Sequence, residues 1–159
     1  MQTEPTTAHR WLQQFVGNWN YRTETAEAPG KPAEVFAGQE NVRALGDFWI
    51  LCEASGATPC IGQANTLLTL GYETQKQRFV GSWIGSMMDH FWIYDGELDD
   101  SGTALSLLST GPRCNGSGTA RYRDLLELVD ANQRRLTSYI EDPEGGWLPL
   151  MTTTYVRVA

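Results

Sequence analysis

The stretch FVGNWNYRTE, residues 15–24, marks the point at which the chain changes its pattern. Before it, apolar residues recur at the spacing of one helical face, which predicts a short helix over residues 6–16. Gly17 suits the position just after a helix end, where φ is positive. After it, large side chains alternate, with Trp19 and Tyr21 on one side. The stretch therefore predicts a helix followed directly by a strand.

The rest of the chain consists of short runs that suit β-strands, separated by hairpin-sized turns. The predicted strands cover residues 18–26, 34–45, 47–54, 60–73, 76–85, 90–99, 103–111, 120–130, 134–142 and 147–158. No helix alternates with these strands, which disfavours a parallel α/β sheet. The pattern predicts an all-β fold, an antiparallel up-and-down barrel of about ten strands with a short N-terminal capping helix. We expect a single domain over residues 1–159, with the barrel over 17–159.

The charge of the chain argues against several classes of function. Nineteen acidic and twelve basic residues give a net charge of −7, and no cluster of Lys and Arg occurs, so we expect no nucleic acid partner. An anionic membrane surface would repel the chain, and no apolar run is long enough to span a bilayer. The first residues lack the features of a signal peptide. We therefore expect a cytoplasmic monomer or homodimer.

The chain has three cysteines, Cys52, Cys60 and Cys114. An odd number without a signal peptide favours free thiols, and a Cys52–Cys60 bridge across a hairpin is the less favoured alternative. The acidic, histidine and cysteine residues show no spacing typical of metal ligands, so no metal is predicted.

The pair Gly17 and Trp19 after a short helix, together with the arginine in the closing TTYVRVA, resembles the calycin superfamily of lipocalins and fatty-acid-binding proteins. The resemblance implies a calycin-like barrel in which Trp19 closes one end and Arg157 packs across its ring. Such a contact contributes about 0.5–2 kcal/mol.

A closer resemblance rests on the segment LGYETQKQRFVGSWIGSMMDHFWIYDGELD, residues 70–99, and on the closing TTYVR. These are similar to a bacterial family known as domain of unknown function 1579, a resemblance that covers essentially the whole chain and implies no function. More distantly, the chain resembles the nitrobindin-like haem barrels, where a histidine in the C-terminal part holds the iron. This chain has only His9 and His90. We therefore predict no haem and no other cofactor.

Amphipathic rings concentrate in the middle of the chain and predict a ligand site inside the barrel. In HFWIYD, alternation places His90, Trp92 and Tyr94 on one face and Phe91 and Ile93 on the other. The candidate ligand-binding residues are Trp83, Met88, His90, Trp92, Tyr94, Tyr122 and Asp124. The predicted partner is a small apolar or amphipathic molecule. In the competing interpretation, the same rings are plain core.

Asp124 is the candidate polar group of this site. It points inward if Leu126 and Leu128 do, because all three share one strand face. A buried carboxylate needs a partner. The partners that we consider are Arg43, Arg78, Arg123, Arg157 and His90. In the opposite register Asp124 would face water.

Glu40 and Glu53 lie in two strands that we expect to pair with each other. We expect both side chains on an outward, charged face.

Three functions therefore stay open at this stage. The favoured one is a barrel that binds a small molecule in its lumen. The second is a small cofactor-free enzyme, an isomerase or hydrolase, with His90 and Asp124 as an acid–base pair in one cavity. The third is a structural or interaction protein with a solid core and no pocket of about 300 Å³ or more.

Overall fold

Ten antiparallel strands form a closed barrel in the residues that the structure describes, 3–58 and 61–158. The computed structural model contains, in chain order, α1 (Thr7–Gln13), β1 (Gly17–Thr25), β2 (Val35–Leu45), β3 (Trp49–Thr58), β4 (Gly62–Glu73), β5 (Arg78–Gly85), β6 (Trp92–Leu98), β7 (Ala104–Pro112), β8 (Thr119–Asp130), β9 (Gln133–Glu141) and β10 (Trp147–Arg157). Each strand pairs with the next one in sequence, and β1 pairs with β10 to close the barrel. The predicted barrel of about ten strands with a capping helix is confirmed.

The helix α1 lies across one end of the barrel. The Nε2 atom of His9 donates to the carbonyl of Tyr72 at 2.8 Å, and the indole Nε1 of Trp11 donates to the carbonyl of Gly102 at 2.7 Å. We call this the closed end. The opposite end is surrounded by the loops that follow β1, β3, β5, β7 and β9, and we call it the open end. No helix in the described residues has the length and apolarity needed to cross a membrane.

The closed half of the barrel contains a dry, tightly packed core. Its fully buried apolar side chains are Leu12, Phe15, Trp19, Val42, Ile50, Leu70, Leu105 and Leu107, each at most 1% exposed. Burial of such side chains stabilises a fold by about 1.5–3 kcal/mol each. The helix and the inward faces of many strands contribute to this core, so it holds the closed half rigid.

Arg157 connects the last strand to the end of α1. Its guanidinium carbon lies 4.2 Å from the ring centre of Trp19. Its Nη1 and Nη2 atoms donate to the carbonyls of Val16 at 2.7 Å and Gln14 at 2.9 Å. Arg157 thus satisfies carbonyls that a helix leaves unpaired at its C-terminal end.

The helix is shorter than the predicted 6–16, because it ends at Gln13. The amides of Phe15 and Val16 bond to carbonyls three residues back, which is a tighter turn than an α-helix. This turn directs the following carbonyls toward Arg157. Gly17 follows with a φ of 141°, and a Cβ there would collide with the guanidinium of Arg157.

Strand β3 continues beyond the predicted 47–54, since the residues assigned to a turn, 55–58, are part of the strand. Gly56 pairs with Gly38 of β2. A Cβ on either glycine would collide with the phenol of Tyr21. The small residues that suggested a turn therefore provide a flat surface for a tyrosine ring.

Strand β6 starts at Trp92, two residues later than predicted. Trp92 pairs with Trp83 of β5, and this is the last pair of that ladder toward the open end. His90 and Phe91 therefore lie beyond the ladder. Phe91 and Ile93 are 56% and 66% exposed on the outer side.

The cysteines are only partly covered by the structure. Cys60 lies outside the described residues, and the alternative of a Cys52–Cys60 bridge lies there with it. Cys52 is buried inside the barrel and Cys114 is exposed.

Candidate functional site

Several inward-facing side chains in the open half of the barrel keep partial contact with solvent. Those with intermediate exposure include Trp83, Trp92, Asp124, Ser138 and Met151. In the closed half, by contrast, Trp19 and the residues packed around it are almost fully buried. A ligand entering from the open end would meet the partly exposed side chains first.

An array of aromatic rings lines one side of this half. The ring of Trp92 lies edge-to-face against His90 at 4.6 Å and against Tyr122 at 5.0 Å. Its Nε1 atom donates to the sulfur of Met88 at 3.2 Å, and its backbone pairs with Trp83. Edge-to-face pairs are favourable by about 0.5–1.5 kcal/mol beyond their burial. Five of the seven predicted ligand-binding residues are therefore adjacent to one another.

Asp124 and Tyr94, the other two, meet deeper in the barrel. The hydroxyl of Tyr94 donates to Oδ2 of Asp124 at 2.6 Å, and Ser138 lies opposite Asp124 on β9. Burial raises the pKa of Asp124, and the hydroxyls of Tyr94 and Ser138 offset part of that rise. Burial and the neighbouring carboxylate hold the pKa of Tyr94 well above its usual range. Tyr94 therefore stays a protonated donor at neutral pH.

The partners of Asp124 differ from those considered in the sequence, which were four arginines and His90. Arg43, Arg78 and Arg123 lie in strand positions that face outward, and Arg157 is bonded at the closed end. Alternation places Arg43, Arg78 and Arg123 on the face opposite to the inward apolar residues of their strands. The groups next to Asp124 are instead the hydroxyls of Tyr94 and Ser138.

His90 lies at the rim of the open end. Its Nε2 atom donates to the carbonyl of Thr110 at 3.1 Å, and its ring contacts Trp92. His90 and Asp124 thus have different hydrogen-bond partners. His90 and Asp124, which the sequence suggested as an acid–base pair, are not hydrogen-bonded to each other through these groups.

A buried ion pair between Glu40 and Arg134 was missed by the sequence analysis. The two side chains are in direct contact, and the residues are 7% and 4% exposed. The guanidinium carbon of Arg134 lies 3.7 Å from the ring centre of Tyr155 and 4.6 Å from that of Trp19. This pair therefore lies within the core, next to Trp19.

The expectation that Glu40 faces outward is wrong. Glu40 lies two residues before the buried Val42 and so shares its inward face, while Glu53 faces outward and bonds Arg43 at 3.2 Å. The spacing of Glu40 and Val42 was the available signal. Its partner Arg134 lies 94 residues away in sequence, so no local pattern could connect them.

Two grooves occur on the surface, and neither includes a predicted ligand-binding residue. One, of about 330 Å³, lies at the rim of the open end and is lined by Glu24, Thr25, Ala26, Glu27, Ala33, Pro149, Met151 and Thr152. The other, of about 340 Å³, is lined by Arg78, Glu97, Leu98, Asp99, Ser106, Leu108, Arg123 and Trp147. Among the described residues, no group of three His, Cys, Asp or Glu could hold a metal ion.

The family described as protein of unknown function (DUF1579) matches residues 4–157. The chain belongs to the DUF1579 family. No curated protein matches the chain in sequence.

Solved structures resemble the barrel of this DUF1579 protein at low sequence identity. The S-type phycobiliprotein lyase CPES from Guillardia theta is 14% identical, with 97% of this chain and 94% of that chain covered and a TM-score of 0.66. Rv2717c from M. tuberculosis is 10% identical, with 98% and 100% covered and a TM-score of 0.67. The protein EF1p2_mFAP2b bound to DFHBI is 10% identical, with 96% and 100% covered and a TM-score of 0.51. At these identities the likeness establishes the fold alone.

Proposed function

We propose that this DUF1579 protein binds one small apolar or amphipathic molecule in the open half of its barrel. The observation that carries the proposal is the contrast between the two halves. The side chains around Trp19 are sealed from solvent, while several inward-facing side chains of the open half, Trp83 and Trp92 among them, remain partly exposed. Partly exposed rings inside a barrel offer apolar surface that a ligand can cover.

The rings supply the apolar part of the site. Trp83, Trp92 and Tyr122 present large faces and edges that an apolar ligand can cover. A ligand that buries about 300 Å² of apolar surface gains about 7 kcal/mol. Part of that gain is lost in ordering the ligand and displacing the rings. We therefore expect dissociation constants in the micromolar range or weaker for simple apolar probes.

Asp124 and Tyr94 supply the polar part. A few fixed polar groups within an apolar lining are typical of small-molecule sites. The complex of EF1p2_mFAP2b with DFHBI supports the proposal, because a small molecule is held there by a barrel of similar fold. The rigid closed half would keep the floor of such a site in place while the rings at the open end adjust.

The test is a titration of the purified protein with the neutral fluorescent probe N-phenyl-1-naphthylamine. We expect saturable binding of one probe per chain, with energy transfer from tryptophan to the probe. Trp83→Phe and Trp92→Phe should each weaken binding or reduce the transfer. Native mass spectrometry of the protein with the probe would confirm the 1:1 ratio.

Trp49 provides the matched control, since its ring lies on the outer wall and is 38% exposed. Trp49→Phe should leave both affinity and transfer unchanged. Absence of saturable binding would favour the solid-core alternative. Loss of binding in Trp49→Phe but not in Trp83→Phe or Trp92→Phe would place the site outside the barrel.

A further inference from the structure

The interior of the barrel carries an uneven set of charges. Among the described inward-facing strand residues beyond the helix-capped end, the charged side chains are Glu40, Arg134 and Asp124. Glu40 and Arg134 neutralise each other, and the guanidinium of Arg134 is covered by the rings of Tyr155 and Trp19. Within that set, Asp124 is thus the acidic group that faces the open half without a cationic partner.

Three hydrogen-bond donors of the lining are already engaged, and the indole N–H of Trp83 is the donor that remains. Trp92 donates to the sulfur of Met88, and Tyr122 donates to the carbonyl of Pro112 at 2.6 Å. At the rim, His90 donates to a backbone carbonyl. These donors have no hydrogen left for a ligand acceptor.

The acceptors of the lining are less fully used. A carboxylate has about four lone-pair positions, and Asp124 accepts a hydrogen bond from Tyr94 with the hydroxyl residue Ser138 opposite it on β9. The faces of the surrounding indole and phenol rings are electron-rich and attract cations and N–H groups. The rim groove adds Glu24 and Glu27, and the chain as a whole carries a net charge of −7.

From this imbalance we infer that the site in the open half selects ligands that bring a hydrogen-bond donor or a positive charge and rejects anionic amphiphiles such as fatty-acid carboxylates. The inference rests on the proposed function, because it names the ligand class of the same site. Inside the barrel an anion would face Asp124, while at the rim Glu24 and Glu27 are accompanied by the cation Arg113, which lies near Tyr122. An amine or a heterocyclic N–H could donate to Asp124 while its rings pack on Trp83 and Trp92.

Two probes with the same ring skeleton test this selection. N-phenyl-1-naphthylamine has an N–H donor and no charge, and 1-anilinonaphthalene-8-sulfonate is the same molecule with an added sulfonate. We expect the neutral probe to bind at least tenfold more tightly. In Asp124→Asn, which removes the charge with little change of shape, the ratio should fall severalfold because the sulfonate probe gains affinity.

Asp95→Asn is the matched control, since it removes the same charge from an outward position where Asp95 bonds Arg78. It should leave the ratio of the two affinities unchanged. Circular dichroism would verify that both variants fold. Equal or tighter binding of the sulfonate probe by the unmodified protein, or an unchanged ratio in Asp124→Asn, would overturn the inference and leave the proposed function standing. Failure of both probes to bind would instead contradict the proposed function itself.

Discussion

Trp19 is the residue on which the closed end of the barrel depends. It is 1% exposed, donates to the carbonyl of Phe15 at 2.8 Å, and lies beneath the guanidinium groups of Arg134 and Arg157. Trp19→Ala should lower the free energy of unfolding by about 3–5 kcal/mol, because it leaves a large cavity. Urea denaturation would measure the loss.

Trp49→Ala is the comparison for this prediction, because Trp49 lies on the outer wall and should lose much less stability. The probe affinity of Trp19→Ala should stay close to that of the unmodified protein. If Trp19→Ala kept its stability but lost probe binding, the ligand site would lie at the closed end of the barrel and not at the open end.

The buried ion pair should behave differently when one or both partners are removed. Glu40→Ala leaves the charge of Arg134 buried without its partner, which should cost about 3–5 kcal/mol. The double variant Glu40→Met/Arg134→Met should cost less than Glu40→Ala, because no unpaired charge remains. Chemical denaturation of the two variants at one pH gives the comparison.

The exposed pair of Glu53 and Arg43 is the control. Both side chains are 54% exposed, so Glu53→Ala should cost less than about 1 kcal/mol. A double variant of the buried pair that proved less stable than the single one would contradict the argument from charge burial.

Asp124 should make stability depend on pH in the direction set by its raised pKa. The folded-state pKa lies above the ordinary value of 3.8, so the folded protein takes up a proton before the unfolded chain does. Relative to Asp124→Asn, the unmodified protein should therefore gain stability as the pH falls from neutral toward about 4. Thermal melts of both proteins across this range would measure the difference.

Asp99 should show the opposite sign. The hydroxyl of Ser101 donates to Asp99 and, with backbone amides, lowers its pKa. The stability advantage of the unmodified protein over Asp99→Asn should thus be lost as the pH falls through this lowered pKa.

For Asp124, a stability difference between the unmodified protein and Asp124→Asn that did not vary with pH would contradict the prediction. It would show that Asp124 has the same pKa in the folded and the unfolded protein.

Among the elements, strand β3 makes a close contact between its backbone at Gly56 and the ring of Tyr21. Gly56 leaves room for the phenol of Tyr21, which extends from β1 across β2. Gly56→Ala should destabilise the barrel by about 1–3 kcal/mol because the added methyl overpacks this contact. The cost should be smaller in a Tyr21→Phe background, since the hydroxyl is one of the atoms that the methyl would meet. Denaturation of the four proteins measures the coupling.

Ser55→Ala, at the adjacent outward position, should change stability little. If Gly56→Ala cost the same with Tyr21 intact as in the Tyr21→Phe background, the methyl would collide only with backbone.

The elements also mark the limits of sequence-based prediction. The alternation of large and small residues identified the strands, because a period of two is a local property. The end of β3 was misplaced, because Ser-Gly-Ala-Thr resembles a turn until the tyrosine that covers it is known. The partner of Asp124 was missed for a similar reason, since Tyr94 lies on β6 and Asp124 on β8, with β7 between them.

For the whole molecule, the seam between β1 and β10 is the strand pair of longest sequence separation. Thr23 and Thr153 share a buried hydroxyl–hydroxyl hydrogen bond of 2.7 Å across it. Because long-range strand pairing slows folding, all-β folds refold in milliseconds to seconds. We expect refolding on that timescale in stopped-flow tryptophan fluorescence. Thr153→Ala should speed unfolding more than it slows refolding, if the seam forms after the transition state.

A conservative change at a hairpin is the comparison for the seam. Ser106→Ala, between the adjacent strands β7 and β8, should affect both rates little. A Thr153→Ala protein that refolded much more slowly, with unchanged unfolding, would place the seam in the folding nucleus.

At this scale the sequence predicted the barrel and its capping helix. It did not predict the buried Glu40–Arg134 pair, whose members come from β2 and β9. These strands are separated by β1 and β10 around the barrel, so their contact depends on closure.

The pairing of β1 with β10 also has a consequence for synthesis on the ribosome. β1 emerges early, yet the backbone groups along one of its edges have no partner until β10 has been translated. Throughout that interval the nascent sheet presents two open edges, which are templates for association with other chains. Nascent chains that stop before β10 would keep both edges, and we expect them to be the species that aggregate or engage chaperones.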